Sequence, residues 1–160
     1  MERFDCRRWA RSALIVIGVF IIIWTGYDLA LRRFYAGKMP DGLELGWRFW
    51  HAAHNRCGVA AFSLSDATVR TLRLKGRQFF ANAKNPEFDY DGWQETPLPG
   101  DPVKDAHFPA GLQCAVDLDG SLRRATFSAL RRPGTFYRER GNSVTIVLPE
   151  EGIVLLSYLG

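Results

Sequence analysis

The segment 12–31, SALIVIGVFIIIWTGYDLAL, constrains this chain more than any other, because its core, IVIGVFIII, is apolar on every helical face. Sixteen residues from Ser12 to Tyr27 carry no charge. The whole segment, as a helix rising about 1.5 Å per residue, covers about 30 Å, the thickness of a bilayer's hydrocarbon core. Trp9 precedes the uncharged run and Trp24 and Tyr27 lie near its end, where amphipathic rings favour the headgroup level. Asp28 then falls at the outer interface, within reach of water. A buried core helix would show a polar face, and a cleaved signal peptide needs a small-x-small site. Ala30, the best-placed small residue, has Asp28 two positions before it. The segment therefore reads as an uncleaved single-pass anchor whose partner is the lipid bilayer.

Four arginines (Arg3, Arg7, Arg8, Arg11) precede the anchor, and three basic residues (Arg32, Arg33, Lys38) follow it. That asymmetry favours a cytoplasmic N-terminus. Cysteine usage points the same way: Cys6 stands alone before the anchor, whereas Cys57 and Cys114 make an even pair after it. A pair is expected where thiols are oxidised, so a Cys57–Cys114 disulfide and a periplasmic setting at a bacterial inner membrane are anticipated. The organisation is then a basic cytoplasmic tail (1–11), the anchor (12–31), a juxtamembrane connector (32–40) and one extracytoplasmic domain (41–160).

The net charge of +4 is concentrated beside the anchor: 1–33 hold six basic and three acidic residues, and the rest holds fifteen against fourteen. Such a distribution suits topology and anionic lipid, and argues against a nucleic-acid partner. Within the domain, 85–121 carry eight acids and only Lys104 as a base, while 122–140 carry six arginines and only Glu139 as an acid. The arginine-rich part offers a basic face for a partner.

Several elements can be read from periodicity and punctuation. Leu43, Trp47, Trp50 and His54 recur at helical spacing after Asp41-Gly42, which predicts a first helix. Trp47, Phe49 and Trp50 are core or interfacial anchors, with packing on the membrane surface as the alternative. CGVAAFSL (57–64) reads as a short buried strand or an extended segment. Ser65 caps a second helix, with Asp66 in its first turn, Val69, Leu72, Phe79 and Phe80 as its apolar stripe, and Gly76 kinking or ending it. The Pro- and Gly-rich stretch 84–111 reads as an ordered loop, since Phe88, Tyr90, Trp93 and Phe108 can be buried. From Leu112 onward, alternation and turn signals predict five strands: 112–119, 122–130, 135–140, 143–149 and 153–160, with a hairpin at Asp119-Gly120. The fold class is thus one N-terminal transmembrane helix plus a small α+β domain, two helices packed on one face of an antiparallel five-strand meander.

Chemistry is sparse. His51, His54 and Cys57 follow HxxHxxC, and on a helix the two histidines would share a face, so His51, His54 and His107 form the alternative metal-binding reading. A Cys57 held in a disulfide has no thiolate to give, and no CxxC or HExxH pattern is present. Asp89–Glu95 and Asp117–Gly120 lack the full ligand series of a calcium loop. No GxSxG, SxxK or P-loop motif occurs, and no histidine is paired by sequence with a nucleophile. No catalytic residue and no cofactor are assigned. The reading is a membrane-tethered, non-enzymatic interaction or scaffolding module of the cell envelope, contacting a membrane or envelope protein. Its contact candidates are the loop 84–111, Trp93, and Arg123, Arg124, Arg131 and Arg132. The alternatives are a metal- or ligand-binding sensor and an enzyme without a linear motif.

Overall fold

Fully apolar stretches and alternating ones have different fates in this chain. The computed structural model describes residues 6–82, 92–98 and 120–160. It divides into two compact units, Met1–Lys38 and Met39–Gly160. The first contains one uninterrupted helix, α1 (Cys6–Ala36). Its stretch Ser12–Ala36 is long and apolar enough to cross a membrane, and none of the most apolar window is buried. The helix runs five residues past the predicted end, through Arg32 and Arg33, and closes where the Gly37 amide donates to the Arg33 carbonyl at 3.1 Å. Two arginines do not stop a helix, because straight-chain basic residues lose little rotamer freedom there.

Among the described residues the second unit has six antiparallel strands: β1 (Leu45–His54), β2 (Cys57–Leu64), β3 (Gln94–Glu95), β4 (Phe136–Arg140), β5 (Ser143–Leu148) and β6 (Ile153–Leu159). Their order across the sheet is β1-β2-β6-β5-β4-β3. The expected meander survives as β4-β5-β6, but β6 has β2 as its other neighbour, with Cys57 opposite Leu159 and Phe62 opposite Val154. Among the described residues there are six strands, beside the five expected of the meander. The unit also has, among the described residues, two helices, α2 (Asp66–Lys75), followed by a 3-10 segment (Gly76–Asn82), and α3 (Gly120–Ala129).

Two predicted elements change type. The first helix expected after Asp41-Gly42 is instead strand β1, paired with β2 from Leu45↔Leu64 to His54↔Cys57. Asn55 at φ 53 takes the left-handed conformation in the connecting turn, which Asn tolerates better than most residues. Conversely, the second strand expected at 122–130 is helix α3, which buries Leu122, Thr126 and Ala129 at i, i+4 and i+7. The strand expected at 112–119 and most of the loop 84–111 lie outside the described residues. Within that loop, Gln94 and Glu95 join the sheet as β3 against Tyr137 and Phe136.

Where the sequence reading was right, local chemistry explains it. The Ser65 hydroxyl accepts from the Thr68 amide at 3.2 Å, capping α2, and donates to the Glu44 carboxylate at 2.8 Å. Gly76 ends α2 at φ 54, a conformation that favours glycine.

Burial then shows that both sheet faces are covered, not one. Val59, Ala60, Ala61 and Phe62 are consecutive in β2 and all fully buried, although neighbours in a strand point to opposite sides. One face carries Ala61, Leu155, Ile146 and Tyr137 in register and clusters with Leu122, Ala129 and Leu130 of α3 and the turn after it. The opposite face carries Phe62, Val154, Val147 and Phe136. There the Phe80 ring, delivered by the 3-10 segment, lies 5.5 Å from Phe136 and stacks on Trp93 at 3.9 Å.

Candidate functional site

Of the contact candidates singled out in the sequence, Arg124, Arg131 and Arg132 are exposed. Arg123 and Arg124 are consecutive on α3, and Arg131 and Arg132 lie in the turn after it, not on strands as the sequence suggested. Because Leu122, Thr126 and Ala129 face the core, Arg124 projects outward and is exposed, and Arg123 is half-buried. The Arg132 guanidinium lies 3.5 Å from the Glu151 carboxylate, and its Nε donates to the Ser128 carbonyl at 3.4 Å. One arginine of the group is therefore tied to the β5–β6 turn, and Arg124 and Arg131 are exposed.

That same turn borders an open groove of about 460 Å³ against α2, walled by Asp66, Val69, Arg70, Arg73, Glu150 and Glu151. Arg73 reaches across it: one guanidinium nitrogen lies 4.0 Å from the Glu150 carboxylate and donates to the Pro149 carbonyl at 3.4 Å. Both ion-pair side chains are largely solvated, so this contact adds well under about 1 kcal/mol. Sequence reading missed the groove. Asp66, Arg70 and Arg73 do recur at i, i+4 and i+7, a polar stripe on α2, but their opposition to Glu150 and Glu151 depends on the fold. Charges of both signs on an open wall suit recognition of a polar surface. The walls bring no histidine or cysteine beside a hydroxyl.

The histidine reading changes once β1 is a strand. Residues at i and i+3 on a helix share a side, but on a strand they point to opposite faces. His51 lies on the Phe62 side, its ring stacked on Phe49 at 6.2 Å, whereas His54 lies on the Ala61 side at the hairpin end. Burial lowers the His51 pKa below its ordinary value of 6.5. His107 lies outside the described residues, and among those described there is no group of three or more His, Cys, Asp or Glu placed to hold a metal ion.

Trp93 occupies the interior at 5 % exposure, stacked on Phe80, so it has little surface to present to a partner. Cys57 is buried at the head of β2, its sulfur 3.3 Å from the His54 carbonyl oxygen. Cys114 lies outside the described residues. Tyr137 donates to the Gln94 side-chain oxygen at 2.7 Å, and burial, with the Glu139 charge second, raises its phenol above the usual range. It fastens the short β3 to β4 rather than serving a site. The chain matches no family model, no curated protein and no solved structure.

Proposed function

We propose that this is a single-pass membrane protein whose Met39–Gly160 unit acts as a non-enzymatic interaction or scaffolding module of the cell envelope. The N-terminus is cytoplasmic and the unit periplasmic. The observation that carries the reading is α1: Ser12–Ala36 exposes apolar side chains on all sides, and none of its most apolar window is buried within the chain. Such a surface needs lipid around it. The partner is an envelope protein with an acidic face, recognised by Arg124 and Arg131 on and after α3. Support for this comes from their exposure and from the burial of the opposite side of the helix, Leu122, Thr126 and Ala129, which turns the arginine side outward.

The Cys57–Cys114 disulfide belongs to the same proposal. It is supported by Cys57 being buried at the head of β2 and by the even number of cysteines that follow the anchor in the sequence. Such a link closes a long loop and contributes about 2–4 kcal/mol.

Two measurements test the reading. Photo-cross-linking from a probe at Ser128 in intact membranes should yield one defined adduct, which disappears in the double variant Arg124→Glu/Arg131→Glu while the melting profile stays unchanged. An adduct indifferent to the charge reversal removes the proposed surface. Alkylation of the full-length chain without reductant should modify Cys6 and spare Cys57 and Cys114. Labelling of all three removes the oxidising-side placement.

A further inference from the structure

β1 contains three large aromatics within four positions, Trp47, Phe49 and Trp50, and the structure sorts them. Trp50 packs against the core cluster beneath α3. The Phe49 ring lies 4.8 Å from Phe62 on the other sheet face. Trp47 is left outside, 76 % exposed, in the stretch between Leu45 and Phe49 where the pairing with β2 shifts register. β1 is also an edge strand, so this residue lies at the margin of the sheet.

An indole on the surface of a soluble domain forgoes burial, but at a membrane interface it gains, because its ring is apolar and its N–H can reach water and headgroups. Arg48 completes the pair: its guanidinium lies 5.2 Å from the Trp47 ring centroid, so a cation accompanies the aromatic surface. The backbone there is also constrained. A side chain at Gly46 would collide with Ser63, whose hydroxyl accepts from the Arg48 amide at 3.2 Å.

We infer that Trp47 and Arg48 form a lipid-contact site that seats the edge of the domain in the headgroup layer of the bilayer, the ring at the acyl boundary and the guanidinium on phosphate. This rests on the membrane-anchor reading of α1. Two facts select lipid as the occupant. By covalent length alone, the eight residues between Ala36 and Leu45 span at most about 29 Å, so Trp47 stays within reach of the surface from which an anchored helix emerges. The sequence from Arg32 to Arg48 holds four basic residues (Arg32, Arg33, Lys38, Arg48) against two acids (Asp41, Glu44), a balance that suits anionic headgroups.

The test uses the full-length chain, labelled with fluorotryptophan and placed in nanodiscs of phosphatidylcholine with a minority of phosphatidylglycerol. Fluorine spectra of Trp24→Phe and Trp47→Phe assign the two resonances by loss. Two relaxation probes are applied, a soluble gadolinium chelate and a gadolinium-headgroup lipid. The inference expects Trp47 to be relaxed by the headgroup probe and to feel the soluble chelate several-fold less than free fluorotryptophan does. Trp47 relaxed like the free amino acid, with Trp24 sheltered, overturns the lipid contact and leaves the anchor standing. Trp24 open to the soluble chelate overturns the anchor itself. Trp47 sheltered from the chelate yet untouched by the headgroup probe indicates a protein cover, such as a second copy pairing along β1, and also overturns the inference.

Discussion

Isoleucine has two fates in this molecule. In α1, Ile17 and Ile22 are 54 % and 71 % exposed; in β5, Ile146 is fully buried. The side chain is the same and so is its aversion to water, so the difference lies in what surrounds it. In the Met39–Gly160 unit the chain supplies its own apolar medium, with a helix against one face of the sheet and a Phe80–Trp93 stack against the other. In the most apolar window of α1 it supplies none, and on the proposed anchor reading that medium is lipid. A hydrophobic residue therefore reports on the fold only where the fold provides its surroundings.

Making one substitution in both places sharpens that contrast. Ile146→Ala should destabilise the Met39–Gly160 unit by about 2–5 kcal/mol in a denaturant melt, because the tightly packed site cannot close over the gap. Ile22→Ala should leave that melt unchanged. A comparable loss from both would mean that α1 is packed rather than solvated by lipid. Ile22→Arg reverses the pattern: an arginine at mid-helix costs about 3 kcal/mol of insertion. It should shift full-length protein from the carbonate-resistant to the extractable fraction while the domain melts as before.

Smaller effects test the domain alone. Ser65→Ala removes the cap on the Thr68 amide and should cost about 1 kcal/mol. Ser65→Thr, which keeps the acceptor for that amide and the hydroxyl that donates to Glu44, should recover most of it. The weakest effect concerns His51. Burial lowers its pKa, so the unfolded chain takes up the proton more readily than the folded one. Stability from this residue is therefore complete above the unfolded value of 6.5 and is lost as pH falls below it towards the folded value. His51→Gln should flatten that part of the stability–pH profile. A profile identical to wild type would show that His51 does not contribute to it.

Legibility varied along the chain for physical reasons. β2, β4, β5 and β6 could be read because turn residues bracket short apolar or aromatic runs, and α2 because Ser65 and Gly76 mark its ends. β1 was misread: Leu43, Trp47, Trp50 and His54 fit a helical spacing, and aromatics serve either structure. The better signal was Asn55-Arg56, a two-residue turn between two apolar runs. α3 was misread in the opposite sense, since LRRATFSAL alternates loosely enough for a strand, while Leu122, Thr126 and Ala129 already held the helical face. Of the site residues, the arginines were visible as a charge cluster. Their outward display was not, because it depends on which side of α3 the sheet buries. Pairing His51 with His54 failed with the helix it assumed.

The anchor-like character of α1, the cap of α2 and the turns between β4, β5 and β6 were determined by the sequence alone, since each arises from residues within a few positions of one another. Only the tertiary structure decided that β2 lies beside β6, that both faces of the sheet are covered and that Trp47 alone among three neighbouring aromatics stays outside. Those outcomes depend on contacts between residues as far apart as Cys57 and Leu159. Such contacts set the surroundings of each side chain and leave no periodic trace in the local sequence.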